Sequence, residues 1–167
     1  MVIGSGGAGK STFARTLGEA LHRPVHHLDT LYWRPGWVEP DKEDFRRALE
    51  GLCAEETWIL DGNYGGTLDL RLAAADTIVF LDLPRVLCLF RVLKRAFIYR
   101  GRSRPDMTSG CPERINRQFL SWIWNYPRAS RPGILRQLET LAARKEVIVL
   151  SSTAQVKDFV GRLRGEH

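Results

Sequence analysis

The apolar residues of the chain follow two alternating periods. Short apolar runs, most of them closed by Gly, Pro or Asp, alternate with longer stretches in which apolar residues recur every three or four positions. Val2-Ile3 reads as the stub of a first strand. Lys10 to Leu21 reads as a helix with Phe13, Leu17, Ala20 and Leu21 along one face. "VHHLD" (25–29) gives a second strand, and "YWRPGW" (32–37) a loop marked by Pro35-Gly36. Asp41 to Cys53 is an amphipathic helix capped by Asp41, with Phe45, Ala48, Leu49 and Leu52 as its stripe.

"TWILD" (57–61) is a third strand, ended by Gly62-Asn63. "TIVFLDL" (77–83) is a fourth, apolar enough to be buried on both faces. Pro84 starts a long helix running to about Tyr99. A basic loop, "RGRSRPD" (100–106), follows. Two helices near Pro112–Trp124 and Pro132–Arg144, a fifth strand at Glu146–Leu150 and a closing helix at Gln155–Leu163 complete the pattern. Near-continuous apolar strands alternating with helices predict an α/β fold, a parallel sheet covered on both faces. Ligands of such sheets bind beyond the C-terminal strand ends. Asp29, Asp61 and Asp82 are expected there, beside the Gly-rich loop.

The 167 residues suit one domain spanning 1–167. No apolar run approaches the roughly 18 residues of a membrane span. After Met1, Val2 and Ile3 are the only apolar residues before the Gly-rich stretch, so no secretory leader is expected. Cys53, Cys88 and Cys111 are widely spaced and form no CxxC pair, which argues against a zinc site or a disulfide framework. A cytoplasmic protein with reduced thiols is the expectation.

Charge changes the picture through its distribution. The net charge is +6, but Arg85 to Arg136 holds 12 Lys and Arg against two acids, Asp106 and Glu113. That segment carries +10 and the remainder −4. Such asymmetry predicts an anionic partner, a nucleotide phosphate or a nucleic acid, unless the segment is simply a solvated helical face.

The candidate chemistry starts at "VIGSGGAGKST". Gly4, Gly9, Lys10 and Ser11 match G-x-x-x-x-G-K-[ST] in full, after an apolar strand stub and before an amphipathic helix. In such a loop the amides of Gly6, Gly7, Ala8 and Gly9 turn inward onto phosphate oxygens, and the N-terminus of the following helix, with Thr12, adds partial positive charge. Lys10 would reach the β- and γ-phosphates of ATP, and the Ser11 hydroxyl would ligate Mg²⁺. The second metal element should be a strand-end acid. Asp61 in "WILDG" is preferred over Asp82 in "FLDLP", where the acid could simply cap the next helix.

These residues, with "HLDTLYWRPGW", "ILDGNYGGTLDLRL", "DTIVFLDLPR", "GRSRPD" and "RPGIL", resemble the adenylate-kinase-like small P-loop kinases. Within them the chain is similar to the group known as DNA topology modulation (FlaR-like) proteins. The resemblance covers nearly the whole chain. It implies a P-loop NTPase fold with a five-stranded parallel sheet in the order 2-3-1-4-5, and a mobile helical lid at about 91–128.

It also implies roles for the basic segment. Arg91 and Arg95, four apart on one helix face, would pack on the adenine and touch the triphosphate. Arg100, Arg102 and Arg104 would lie in the lid loop, with Arg114 and Arg117 swinging in from the next helix. Lys10, Asp29, Arg95 and Arg102 are then the candidate catalytic residues.

The acceptor side departs from the family's pattern, because "DGNYGG" lacks the arginine that adenylate kinases carry just after "DG". Arg71 and Arg34 are possible substitutes. Asp29 could accept a hydroxyl proton if the acceptor is an alcohol; a nucleoside monophosphate, the favoured acceptor, needs no base. Tyr32, Trp33 and Trp37 can be read as a stacking platform or as cover for the sheet edge. His26 and His27 alternate across a strand and are read as structural. Trp122, Trp124 and Tyr126 are expected to pack the lid helix on the body.

The competing expectation is an ATP-binding regulator of DNA topology using the basic segment. The chain carries no helix-turn-helix, RNA-recognition or zinc-finger signature, so nucleic acid is possible but not favoured. A P-loop switch is weaker still, because no water-positioning element is evident. No membrane partner is expected, and the oligomeric state is open.

Overall fold

A computed structural model describes residues 1–165. Five parallel strands form one sheet: β1 (Val2–Gly4), β2 (Val25–His27), β3 (Ile59–Asp61), β4 (Thr77–Leu81) and β5 (Glu146–Leu150). Their spatial order is β2-β3-β1-β4-β5, as the family resemblance implies. The registers pair Val2 with both Asp61 and Val79, so the motif strand lies at the sheet's centre.

The pleat sorts the strand residues into two cores. Val2, Val79 and Leu81 face a cluster with Phe13, Ala14 and Leu17 of α1 (Lys10–Leu21). Ile3, Ile78 and Phe80 face the opposite side, toward Leu72 and Leu138. Ile78 and Phe80 have no exposed surface, and burial of each contributes about 2–3 kcal/mol. A third cluster, Leu28, Phe45, Leu49 and Leu60, seats α3 (Lys42–Cys53). The expected cap holds there: Asp41 accepts hydrogen bonds from the amides of Glu43 and Asp44.

Three elements differ from expectation. The helix expected near Pro112–Trp124 runs from Arg117 to Ala129, through Pro127. The second strand ends at His27, and Leu28–Tyr32 forms a short helix, α2, that carries Asp29. Residues Gly65–Thr67 form a 3₁₀ turn leading into α4 (Leu68–Ala74), which the paired glycines concealed. The remaining helices are α5 (Arg85–Ile98), α6 (Arg117–Ala129), α7 (Arg131–Leu141) and α8 (Thr153–Gly165). The lid-like loop between α5 and α6 doubles back on itself through a bridge between Arg100 and Glu113.

Candidate active site

The Gly-rich loop joins the central strand to α1, and two glycines in it are required by space. Gly4 has φ +149° and lies against the Leu81 carbonyl of β4. Gly7 has φ +78°, and a Cβ there would collide with the Cys88 carbonyl of α5. The strand, the loop and α5 are therefore locked together by backbone contact. The loop opens onto a cavity of about 920 Å³, lined from Gly6 through Thr12 and by Asp29, Asp61, Arg91 and Arg95. Gly4 itself stands behind the cavity, where its amide donates to Asn63 Oδ1 at 3.0 Å.

Lys10 folds back over the loop and donates to the Ser5 carbonyl at 3.0 Å. Burial lowers its ammonium below the ordinary lysine range, while Asp61 and Asp29 pull it back up. Asp61 is buried at the end of β3. Its Oδ2 lies 2.8 Å from His27 Nδ1, while its Oδ1 has no hydrogen-bond partner among the described residues. His27 thus orients the acid instead of merely filling the sheet. An unpartnered buried carboxylate oxygen lining the same cavity as Ser11 is the kind of hard oxygen donor a divalent cation prefers. Asp82 is differently placed. Arg131 grips it in fork geometry at 2.8–2.9 Å, and it does not line the cavity.

α5 supplies the expected arginine pair on its cavity face. Arg91 donates to the Ala8 carbonyl at 3.1 Å and to Thr153 at 3.4 Å, at the end of the cavity walled by α8. Arg95 points toward the lid loop, where its Nε donates to Glu113 Oε1 at 2.8 Å. Burial, then the neighbouring Arg104, lowers the Arg95 guanidinium below its ordinary value.

The lid loop arranges its arginines differently from expectation. Arg102 is exposed and does not line the cavity, so its proposed catalytic placement is not supported by this geometry. Its backbone is what the fold uses: its carbonyl accepts from Glu113 N. Arg104 points inward instead. It donates to Asp29 Oδ2 at 2.9 Å, approaches Asp106 at 3.5 Å and forms an ion pair with Glu113 at 3.2 Å. Burial pulls Arg104 down, but Asp29, Asp106 and Glu113 outweigh it and raise its pKa. Burial pushes Asp106 up, yet Arg104 and a hydrogen bond with Ser11 bring it below the usual carboxylate range. Arg114 also lines the cavity, 5.0 Å from the Trp37 ring centroid, whereas Arg117 does not.

At the acceptor end, Asp29 accepts from the Tyr64 hydroxyl at 2.8 Å as well as from Arg104. Burial and the adjacent Asp29 push the Tyr64 phenol far up, so it is a hydrogen-bond donor. Trp33 and Trp37 line the cavity, packed edge to face at 5.3 Å, while Tyr32 packs on Phe45 and Tyr64. Neither suggested substitute for the missing arginine reaches this end. Arg71 is fully buried and donates to the carbonyls of Gly62, Asn63, Tyr64 and Thr67. Arg34 forms a backbone bridge with Val38 and lies outside the cavity. Trp122 stacks on Phe119 at the cavity wall and Tyr126 is buried in the sheet core, whereas Trp124 is exposed under Arg85.

Comparison with known proteins follows the same lines. The chain is 31% identical over 132 residues to the uncharacterized protein YqaC of Bacillus subtilis (strain 168), covering 77% of this chain and 72% of that protein. The chain belongs to the YqaC family. No protein-family model matches it. Among solved structures, a gluconokinase from Sinorhizobium meliloti 1021 aligns with 99% of this chain and 92% of its own, with a TM-score of 0.52 and 16% identity. A sugar kinase from Janibacter sp. HTCC2649 aligns with 99% and 88%, with a TM-score of 0.51 and 16% identity. The fold is that of the P-loop kinases.

Three contributors escaped the sequence reading: Arg104 as the inward lid arginine, Glu113 as the acid holding Arg95 and Arg104, and Tyr64 as the partner of Asp29. One signal did exist. Asp106 and Glu113 are the two acids in a segment carrying +10. Acids so outnumbered are surrounded by cations and serve to set their positions.

Proposed function

We propose that the chain is a Mg·ATP-dependent phosphotransferase acting on a nucleotide or related small acceptor, folded as a single domain with a basic lid segment at about 91–128. We also place it with the FlaR-like proteins, on the motifs quoted above. The observation that carries the reading is the convergence on one cavity of a full phosphate loop, a buried acid with one oxygen unpartnered among the described residues, and two inward arginines. ATP would lie with its phosphates on the amides of 6–12 and its base toward Arg91 and α8. Ser11 and Asp61 would hold Mg²⁺, which when bound draws charge from the triphosphate.

The chain's own residues account for the rest. Lys10 moves from the Ser5 carbonyl to the β- and γ-phosphates. Arg95, whose Nε is anchored on Glu113, offers its outer nitrogens to the charge that spreads over the transferring phosphoryl group. Two features favour a hydroxyl acceptor over a nucleoside monophosphate. Arg71, the candidate for a monophosphate grip, is committed to backbone carbonyls. Asp29 faces the cavity, held by Tyr64 and Arg104, where a carboxylate can accept a hydroxyl proton.

The test is Asp29→Asn assayed with Mg·ATP over alcohols and nucleoside monophosphates. A hydroxyl acceptor predicts a fall in kcat of about 10²-fold or more. Unchanged kcat with any accepted alcohol removes Asp29 from the chemistry.

A further inference from the structure

The outer face of α5 has no partner among the described residues. Val86, Phe90, Leu93 and Phe97 are 66%, 61%, 45% and 82% exposed, with Ile98 beside them at 58%. Their spacing of four, three and four residues aligns the first four in one stripe along the helix. Lys94 is the charged residue at its edge. The inner face of the same helix buries Cys88, Val92 and Ala96 and presents Arg91 and Arg95 to the cavity.

We propose that this stripe is the interface of a two-fold dimer with a second copy of the chain. Three observations select that occupant. First, the stripe is self-complementary. A two-fold axis midway between Phe90 and Leu93, with the helices antiparallel, sets Val86 against Phe97 and Phe90 against Leu93, small against large at each end. The four-three spacing is the ridge pattern of helices that pack nearly antiparallel at about 20°. Second, charge does not forbid it. The two-fold axis sets both Lys94 side chains on the same flank, about 7.5 Å apart along the helices, and both are exposed at the open edge, where the ammonium groups stay in water. Third, the area suffices. Two exposed phenylalanines and three aliphatic side chains leave on the order of 500 Å² open per copy. The pair then removes about 1,000 Å² of apolar surface, the threshold of a specific interface. The dimer would brace α5 from outside while its inner face carries the arginine pair.

The experiment is analytical ultracentrifugation of the full chain and of Val86→Glu, Phe97→Lys and the double variant, with circular dichroism to confirm that each is folded. Both positions are exposed, so the fold tolerates the changes. The proposal predicts a wild-type mass of two chains and a dissociation constant raised about 100-fold or more in each single variant. It also predicts recovery in the double variant, where the introduced carboxylate of one copy would face the introduced ammonium of the other across the axis. A monomeric wild type, a dimer indifferent to both single changes, or a double variant that stays monomeric overturns it. So does a monomeric chain that binds phosphatidylserine vesicles through Phe97, which would make the stripe a membrane surface.

Discussion

Arg71 distinguishes a structural from a ligand-binding arginine, and Arg71→Ala is the change that tests it. Its guanidinium donates to Gly62 O at 2.9 Å, Asn63 O at 2.7 Å, Tyr64 O at 3.0 Å and Thr67 O at 3.3 Å. A hydrogen bond from a charged donor contributes about 1.5–3 kcal/mol, but four bonds from one group do not add. After truncation, water reaches the half-buried carbonyls of Asn63 and Tyr64. The carbonyls of Gly62 and Thr67 are stranded, each at a cost of about 1–3 kcal/mol. With the cavity left behind, the expected loss is about 3–5 kcal/mol, a large share of a domain's stability of about 5–15 kcal/mol. Burial pulls the Arg71 pKa down to about 10, which still leaves the guanidinium charged at neutral pH and able to donate to all four carbonyls. Urea unfolding read by circular dichroism measures the loss. A change below about 1 kcal/mol, combined with a raised acceptor KM, refutes the reasoning and returns Arg71 to the binding site.

The other predictions concern the cavity directly. Lys10→Ala should lower phosphoryl transfer by about 10²–10⁴-fold in a steady-state assay; full activity removes the phosphate loop from the mechanism. Arg95→Ala should lower kcat by about 10²-fold while Arg102→Ala leaves it within about twofold, because Arg95 lines the cavity and Arg102 does not. Equal losses contradict the lid geometry. Asp106 titrates lower in the folded chain than when unfolded, so its stabilisation is full above the unfolded carboxylate's pKa of about 3.9 and is lost as pH falls through the depressed folded value. Tryptophan fluorescence followed into acid should show a lid transition below about pH 4 in the wild type that Asp106→Asn lacks. Coincident transitions would count against the Asp106 contacts.

The sheet was legible because its information is local. Strands such as Thr77–Leu81 and Glu146–Leu150 are apolar runs bounded by breakers, and α1 and α3 carry a stripe and, for α3, a cap. The strand order came from the resemblance, because apolar periodicity does not rank parallel strands. α4 was hidden by Gly65-Gly66, and by an arginine where its inward face would call for an apolar side chain. Arg71 is inside because backbone carbonyls, not apolar contacts, satisfy it, and no periodicity records that. The difference between Arg102 and Arg104 is likewise a matter of loop register. It is set by the backbone bridge of Arg100 to Glu113, which pairs residues thirteen apart. Asp29 and Asp61, expected at strand ends, both line the cavity, whereas Asp82 does not. The preference for Asp61 over Asp82 finds its reason in Arg131, a partner supplied from the start of a distant helix.

Transfer of phosphate from ATP to a small acceptor in this cavity is measured by coupled ADP release with Mg·ATP against a panel of small alcohols, sugars, nucleosides and nucleoside monophosphates. A kinase gives saturable, acceptor-dependent ADP release that Lys10→Ala abolishes and that varies little with salt. ATP binding without acceptor-dependent release anywhere on the panel, together with DNA affinity that falls steeply as salt rises, would contradict it.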